Sequence, residues 1–121
     1  MSAKLLTKAI IKAIPQTGET DGQGDAAIVH AKLFTPSSNW TWYVTEYDSV
    51  TGNAFGLVEG FETELGYFNI AELAAIKVPV TFRLGGRGIS GTVTVERDRS
   101  FTPRTLGVVR AEIDRRQLRR A

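Results

Sequence analysis

The chain has 121 residues, no cysteine and a single histidine. That excludes a disulfide scaffold, a thiol nucleophile, cysteine zinc and iron–sulfur sites, and any multi-histidine metal centre within one chain. With 42% hydrophobic and 23% charged residues it has the balance of a folded globular protein, and one domain over residues 1–121 is expected. The net charge of +2 conceals a division. Residues 1–76 carry four lysines against nine acids, net −5; residues 77–121 carry eleven basic residues against four acids, net +7.

Residues 3–14 read as a helix, with Leu6, Ile10 and Ile14 on one face and Lys4, Lys8 and Lys12 on the other. Ser2 is its expected N-cap and Pro15 its stop. The lysines interrupt the apolar stretch that a secretory signal requires, and no run approaches the ~18 apolar residues of a membrane span. A cytoplasmic protein without membrane contact is therefore expected. Residues 16–26, QTGETDGQGDA, form a polar, glycine-rich loop.

Strands are expected over 27–35, 40–47 and 54–59, joined by turns short enough for an antiparallel meander. Strict alternation in the second sets Trp40, Trp42, Val44 and Glu46 against Thr41, Tyr43, Thr45 and Tyr47. Residues 60–68 are aromatic and acidic and receive no element. Asn69 followed by Glu72 is a capping box for a short helix over 70–77. Two further strands, 78–84 and 89–96, flank the turn Gly85–Gly88, with Pro79 marking an edge position. Residues 105–120 read as a helix with Leu106, Val109 and Ile113 as its apolar stripe and Glu112–Arg116 as a favourable four-residue ion pair. The class is α+β: an antiparallel sheet of about five strands, flanked by N- and C-terminal helices, with one short internal helix.

Aromatic residues on both faces of 40–47 point to exposure of some of them. The expected protein-contact residues are Trp40, Trp42, Tyr43, Glu46, Tyr47 and Asp48, the rings supplying contact area and the acids steering a basic partner. The competing reading is that a helix covers each face and the rings are core. A nucleic-acid-binding accessory protein is the alternative, using Arg87, Arg97, Arg99, Arg104, Arg110, Arg115, Arg116, Arg119 and Arg120. A second alternative is a hydrolase or nuclease with an acid/base pair at Glu46 and Glu59 or at Glu62 and Glu64. His30 with Asp21 or Asp25 could form a base and its orienter, although a lone histidine on a strand more often packs. No nucleophile elbow is present, and Gly85–Gly88 lacks the following helix that a phosphate cradle needs. Catalysis is not favoured, and neither a cofactor nor a metal is expected.

Several blocks occur in order: Thr20-Asp21-Gly22-Gln23-Gly24-Asp25, Ala31-Lys32-Leu33-Phe34-Thr35-Pro36, Trp40-Thr41-Trp42-Tyr43, and Gly60-Phe61-Glu62-Thr63-Glu64-Leu65-Gly66-Tyr67-Phe68. Together they strongly resemble the bacterial DUF2958 family over residues 4–76. Glu96-Arg97-Asp98 and Phe101-Thr102-Pro103 resemble its C-terminal block more loosely over 96–103. Residues 77–95 depart from the pattern, as a β-hairpin insertion would. The resemblance carries no activity. It implies a protein of plasmids, phages or other mobile elements. Together with the small size, the sparse catalytic chemistry, the charge segregation and the aromatic–acidic tract, that setting leads to the expectation of a non-enzymatic factor that binds a host-encoded or element-encoded protein, of the anti-restriction or anti-CRISPR type.

Overall fold

The expected three-stranded meander is the middle of a larger sheet. In the computed structural model, which describes residues 5–120, α1 (Lys8–Ala13) precedes β1 (Ile28–Val29), β2 (Ala31–Phe34), β3 (Thr41–Tyr47), β4 (Asn53–Glu59) and β5 (Thr63–Asn69). Then follow α2 (Ile70–Ala75), β6 (Lys77–Leu84), β7 (Arg87–Thr94), β8 (Glu96–Arg97), β9 (Arg104–Thr105) and α3 (Leu106–Arg120). The main sheet is antiparallel with strand order β5-β4-β3-β2-β8. Two small sheets pair β1 with β9 and β6 with β7. The class is α+β, as expected.

Local signals account for the helix ends. The Asn69 side chain accepts from the Glu72 backbone N–H and opens α2, which is the N-cap half of the expected capping box. The first helix is shorter than expected: Thr7, whose hydroxyl accepts from the Ile10 N–H, is the cap. Ser2 and Lys4 lie outside the described residues. Gly85 and Gly86, with φ of 59° and 82°, make a two-residue hairpin turn, so Arg87 and Gly88 already belong to β7.

Tertiary pairing overrides the expected elements in two places. The strand expected over 27–35 breaks at His30: β1 pairs with β9, whereas β2 lies between β3 and β8. Residues 63–69, expected as part of an unassigned stretch, pair along their whole length with β4. Hydrogen bonding to β4 recruits this edge strand although its own sequence lacks a buried face.

Both faces of the main sheet are covered. Trp42, Val44, Tyr47, Leu33 and Ala54 pack with Leu5, Leu6, Ile14 and with Ile70 and Leu73 of α2. On the other face Tyr43, Leu57 and Val29 pack with Leu106, Val109 and Ile113, the predicted stripe of α3. The pairing of β3 with β4 shifts between Val44 (opposite Gly56) and Glu46 (opposite Phe55), leaving Thr45 as the extra residue of a β-bulge. Thr45 Oγ1 donates to the Phe55 carbonyl at 3.0 Å. The bulge reverses the expected alternation beyond Val44. Tyr47 joins Trp42 and Val44, and Glu46 moves to the opposite face. Gly56 permits it, because a Cβ there would stand 1.8 Å from the Tyr43 carbonyl oxygen.

Candidate interaction surfaces

The aromatic tract was expected to present a contact surface, and most of it does not. Trp42, Tyr43, Glu46 and Tyr47 are buried. Helices cover each face, so the rings that the sequence distributes over two sides serve two cores rather than a partner. Glu46, 2% exposed, accepts from the backbone N–H groups of Gly18 and Thr20 at 2.8 and 2.9 Å and from the Thr20 hydroxyl. It latches the 16–26 loop onto the sheet. Asp48 closes its turn by accepting from the Val50 N–H at 2.9 Å and the Thr51 N–H at 3.4 Å, which hold its carboxyl below the usual range.

Of the tract, Trp40 alone is joined to an exposed aromatic. Its ring stacks on Trp42, with centroids 6.0 Å apart, and meets Phe61 edge-on at 5.6 Å. The ring lies against Gly60, where a Cβ would be 2.4 Å away. Phe61, in the β4–β5 turn, is 96% exposed, and Tyr67 on β5 is 74% exposed and packs on Phe55 at 4.9 Å. Trp40, Val58, Phe61, Glu62, Glu64 and Gly66 enclose an open recess of about 340 Å³. A Cβ on Gly66 would meet nothing within 4 Å. Glu62 and Glu64 are exposed at its rim and form no ion pair among the described residues. β5 is the edge of the sheet, hydrogen-bonded to β4 alone. Phe61, Leu65 and Tyr67 are thus exposed apolar residues on and beside this edge, outside the expected set. Their signal was the aromatic–acidic stretch 60–68, which lacks any apolar periodicity.

The arginines divide into groups. Arg110 pairs with Asp25 at 3.2 Å, and Arg97 reaches the Leu5 carbonyl at 3.5 Å. Arg87 stands on the β6–β7 hairpin and Arg99 in the turn after β8, both exposed. The side chain of Arg120 lies outside the described residues. Only Arg104, Arg115, Arg116 and Arg119 converge, on one recess beside α3. The expected Glu112–Arg116 pair is replaced by longer-range partners. Glu112 takes Arg104 Nε at 3.0 Å, and Arg116 donates to Glu59 at 2.8 Å. Burial opposes the Arg116 charge, but the Glu59 carboxylate more than offsets this and raises its pKa. Burial, assisted by the Glu59 charge, pushes the Tyr43 phenol up.

The carboxylate pairing of Glu46 with Glu59 does not form. Glu46 lies opposite Phe55 and Glu59 opposite Thr41. That is four strand positions, roughly 13 Å at ~3.3 Å per residue. Both are engaged, Glu46 by the loop and Glu59 by Arg116. Glu62 and Glu64 share the Trp40–Phe61 recess. His30 lines a small cavity with Arg97, Asp98 and Arg99, while Asp21 borders a different one and Asp25 is held by Arg110. Burial lowers the His30 pKa. Among the described residues no three acidic or histidine side chains cluster as metal ligands, and no helix is long and apolar enough to cross a membrane.

No match was found among curated proteins or solved structures. A family model does match, over residues 5–117, a span that takes in the β6–β7 hairpin as well as the motif-bearing strands. The chain belongs to the family described as protein of unknown function (DUF2958).

Proposed function

We propose that the chain is a non-catalytic protein-binding module that docks an extended segment, in which basic and apolar side chains alternate, along the free edge of β5. The observation that carries this reading is the stretch Phe61–Tyr67: an edge strand whose Phe61, Leu65 and Tyr67 are exposed beside Glu62 and Glu64. Native sheets commonly blunt such edges with charge. Here the two carboxylates oppose pairing with a second acidic edge and favour a basic strand. Strand addition supplies main-chain hydrogen bonds, and the Trp40–Phe61 recess supplies a pocket for one side chain. In the mobile-element setting that the resemblance implies, the partner is a host-encoded or element-encoded protein. Host-defence proteins of the restriction or CRISPR type are the first class to examine.

An array of short peptides alternating arginine or lysine with valine or threonine tests this reading. Wild-type protein should bind a subset of them, with affinity falling as salt rises. Phe61→Ala should weaken that binding by about 30-fold, equivalent to about 2 kcal/mol for an aromatic anchor. Glu64→Lys should weaken it further. Absence of binding across the array, or equal binding by the variants, would overturn it.

A further inference from the structure

We propose that the recess beside α3 binds a phosphate monoester of mononucleotide size, independently of the β5 edge. The recess has a volume of about 390 Å³, and Lys32, Arg104, Arg115, Arg116 and Arg119 wall it with one carboxylate, Glu112. These cations come from three separate elements, β2, β9 and α3. On α3, residues 112, 115, 116 and 119 fall on one face by the three- and four-residue spacing of the helix.

Two guanidinium groups are oriented in advance. Arg104 donates Nε–H to Glu112 at 3.0 Å and Nη1–H to the Thr102 carbonyl at 2.7 Å. Its guanidinium carbon also lies over the Phe101 ring, 4.2 Å from the ring centre. Arg116 donates Nη1–H to Glu59 at 2.8 Å. Each uses only part of its fork: Arg116 also interacts with the Tyr43 hydroxyl, which lines the same recess, and the second terminal nitrogen of Arg104 has no acceptor among the described residues. Arg115 and Arg119 form no ion pair among the described residues, and Lys32 reaches Asp98 only at 3.8 Å. With Glu112, Glu59 and Asp98 set against the five cations, two positive charges remain, matching the dianion of a phosphate monoester.

The other described arginines do not extend this cluster into a continuous track. Arg97 and Arg110 are turned to protein acceptors, Arg87 stands on the separate β6–β7 hairpin, and Arg99 lies in the turn after β8. A second recess shares Lys32 and Arg116 with the first and is lined by Phe34, Thr35, Ser38, Asn39 and Thr41, with the carboxylates of Glu59 and Asp98 paired to those two cations. Its hydroxyl and amide groups suit the polar, sugar-bearing part of the same ligand, and Phe34 offers an apolar wall.

Calorimetric titration with a nucleoside monophosphate, the matching nucleoside, and a single-stranded oligonucleotide with or without a 5′-phosphate tests the site. The monophosphate should bind and the nucleoside should not. Arg115→Ala with Arg119→Ala, exposed positions whose loss leaves the fold intact, should weaken binding at least tenfold, about 1.4 kcal/mol. Arg87→Ala should leave it unchanged. If the phosphorylated oligonucleotide binds at least about tenfold more tightly than the mononucleotide, the natural source is a nucleic-acid end; if the two are equal, it is the free nucleotide. The proposal is overturned if the monophosphate shows no heat at millimolar concentration, if the unphosphorylated oligonucleotide binds as well as the phosphorylated one, or if the double variant binds like wild type.

Discussion

The carboxylate of Glu46 on β3 and the Thr20 backbone N–H, 26 residues apart in the chain, meet at 2.9 Å in the interior. Together with the Gly18 N–H and the Thr20 hydroxyl, this contact fastens a glycine-rich loop that has little apolar surface of its own. Replacing Glu46 with alanine strands two backbone donors and a hydroxyl, so Glu46→Ala should lower unfolding free energy by about 3 kcal/mol. Glu46→Gln keeps an acceptor and should cost less. Urea denaturation measures both, and limited proteolysis should show the 16–26 loop cut first in the alanine variant.

The bulge at Thr45 depends on close backbone approach at Gly56. A methyl group there meets the Tyr43 carbonyl carbon at 2.9 Å and its oxygen at 1.8 Å. The backbone, unlike a side-chain tip, has nowhere to yield. Gly56→Ala should cost about 3 kcal/mol or more, at the upper end of overpacking penalties. Gly91→Ala is the control, since a Cβ on Gly91 has nothing within 4 Å. Equal thermal shifts in the two variants would refute this account of Gly56.

His30 should make stability fall on mild acidification. Burial disfavours its imidazolium, so its folded pKa lies below the ordinary 6.5. The unfolded chain takes up this proton first. Stability is therefore full above 6.5, declines as pH drops from there towards the folded value, and then levels. Arg97, Asp98 and Arg99 share its cavity. The carboxyls of Asp98 and Asp48 are both held below the ordinary 3.8, Asp98 chiefly by the Ser100 hydroxyl and Asp48 chiefly by the Val50 N–H, and their contributions disappear together in a second, more acidic step. Denaturation midpoints taken from about pH 7.5 down to about pH 3 should resolve both steps, and His30→Gln should remove the upper one.

Phe61 offers a clean separation of binding from folding. At 96% exposure its removal should change stability by no more than about 0.5 kcal/mol. Gly66→Val should fill the recess from its floor, since its Cβ enters open space. Both variants should keep the wild-type melting temperature and lose the peptides that wild type retains. A marked drop in melting temperature for Phe61→Ala would show that the ring holds Trp40 in place rather than waiting for a partner.

Elements stabilised by neighbours in the chain were legible from the residues. Asn69 caps α2 because its side chain reaches three residues along, and Gly85-Gly86 turns because glycine tolerates positive φ. The stripe Leu106, Val109 and Ile113 is buried because helical spacing places it on one face. The β5 edge was not legible, since its register comes entirely from β4. Nor was the fate of Trp42, Tyr43 and Tyr47, whose burial depends on which helices pack over the sheet.

By itself, the sequence determined the α+β class, the Asn69 cap of α2, the hairpin turn and the separation of acidic from basic halves, because each follows from residues within a few positions or from composition. Only the tertiary structure decided where Glu46 points and which arginines remain available. A single extra residue at Thr45 inverts the strand's faces, and Glu59, Glu112 and Asp25 each take an arginine from a distant or unexpected position. Such pairings are selected by the packed geometry of the whole sheet, which no local spacing encodes.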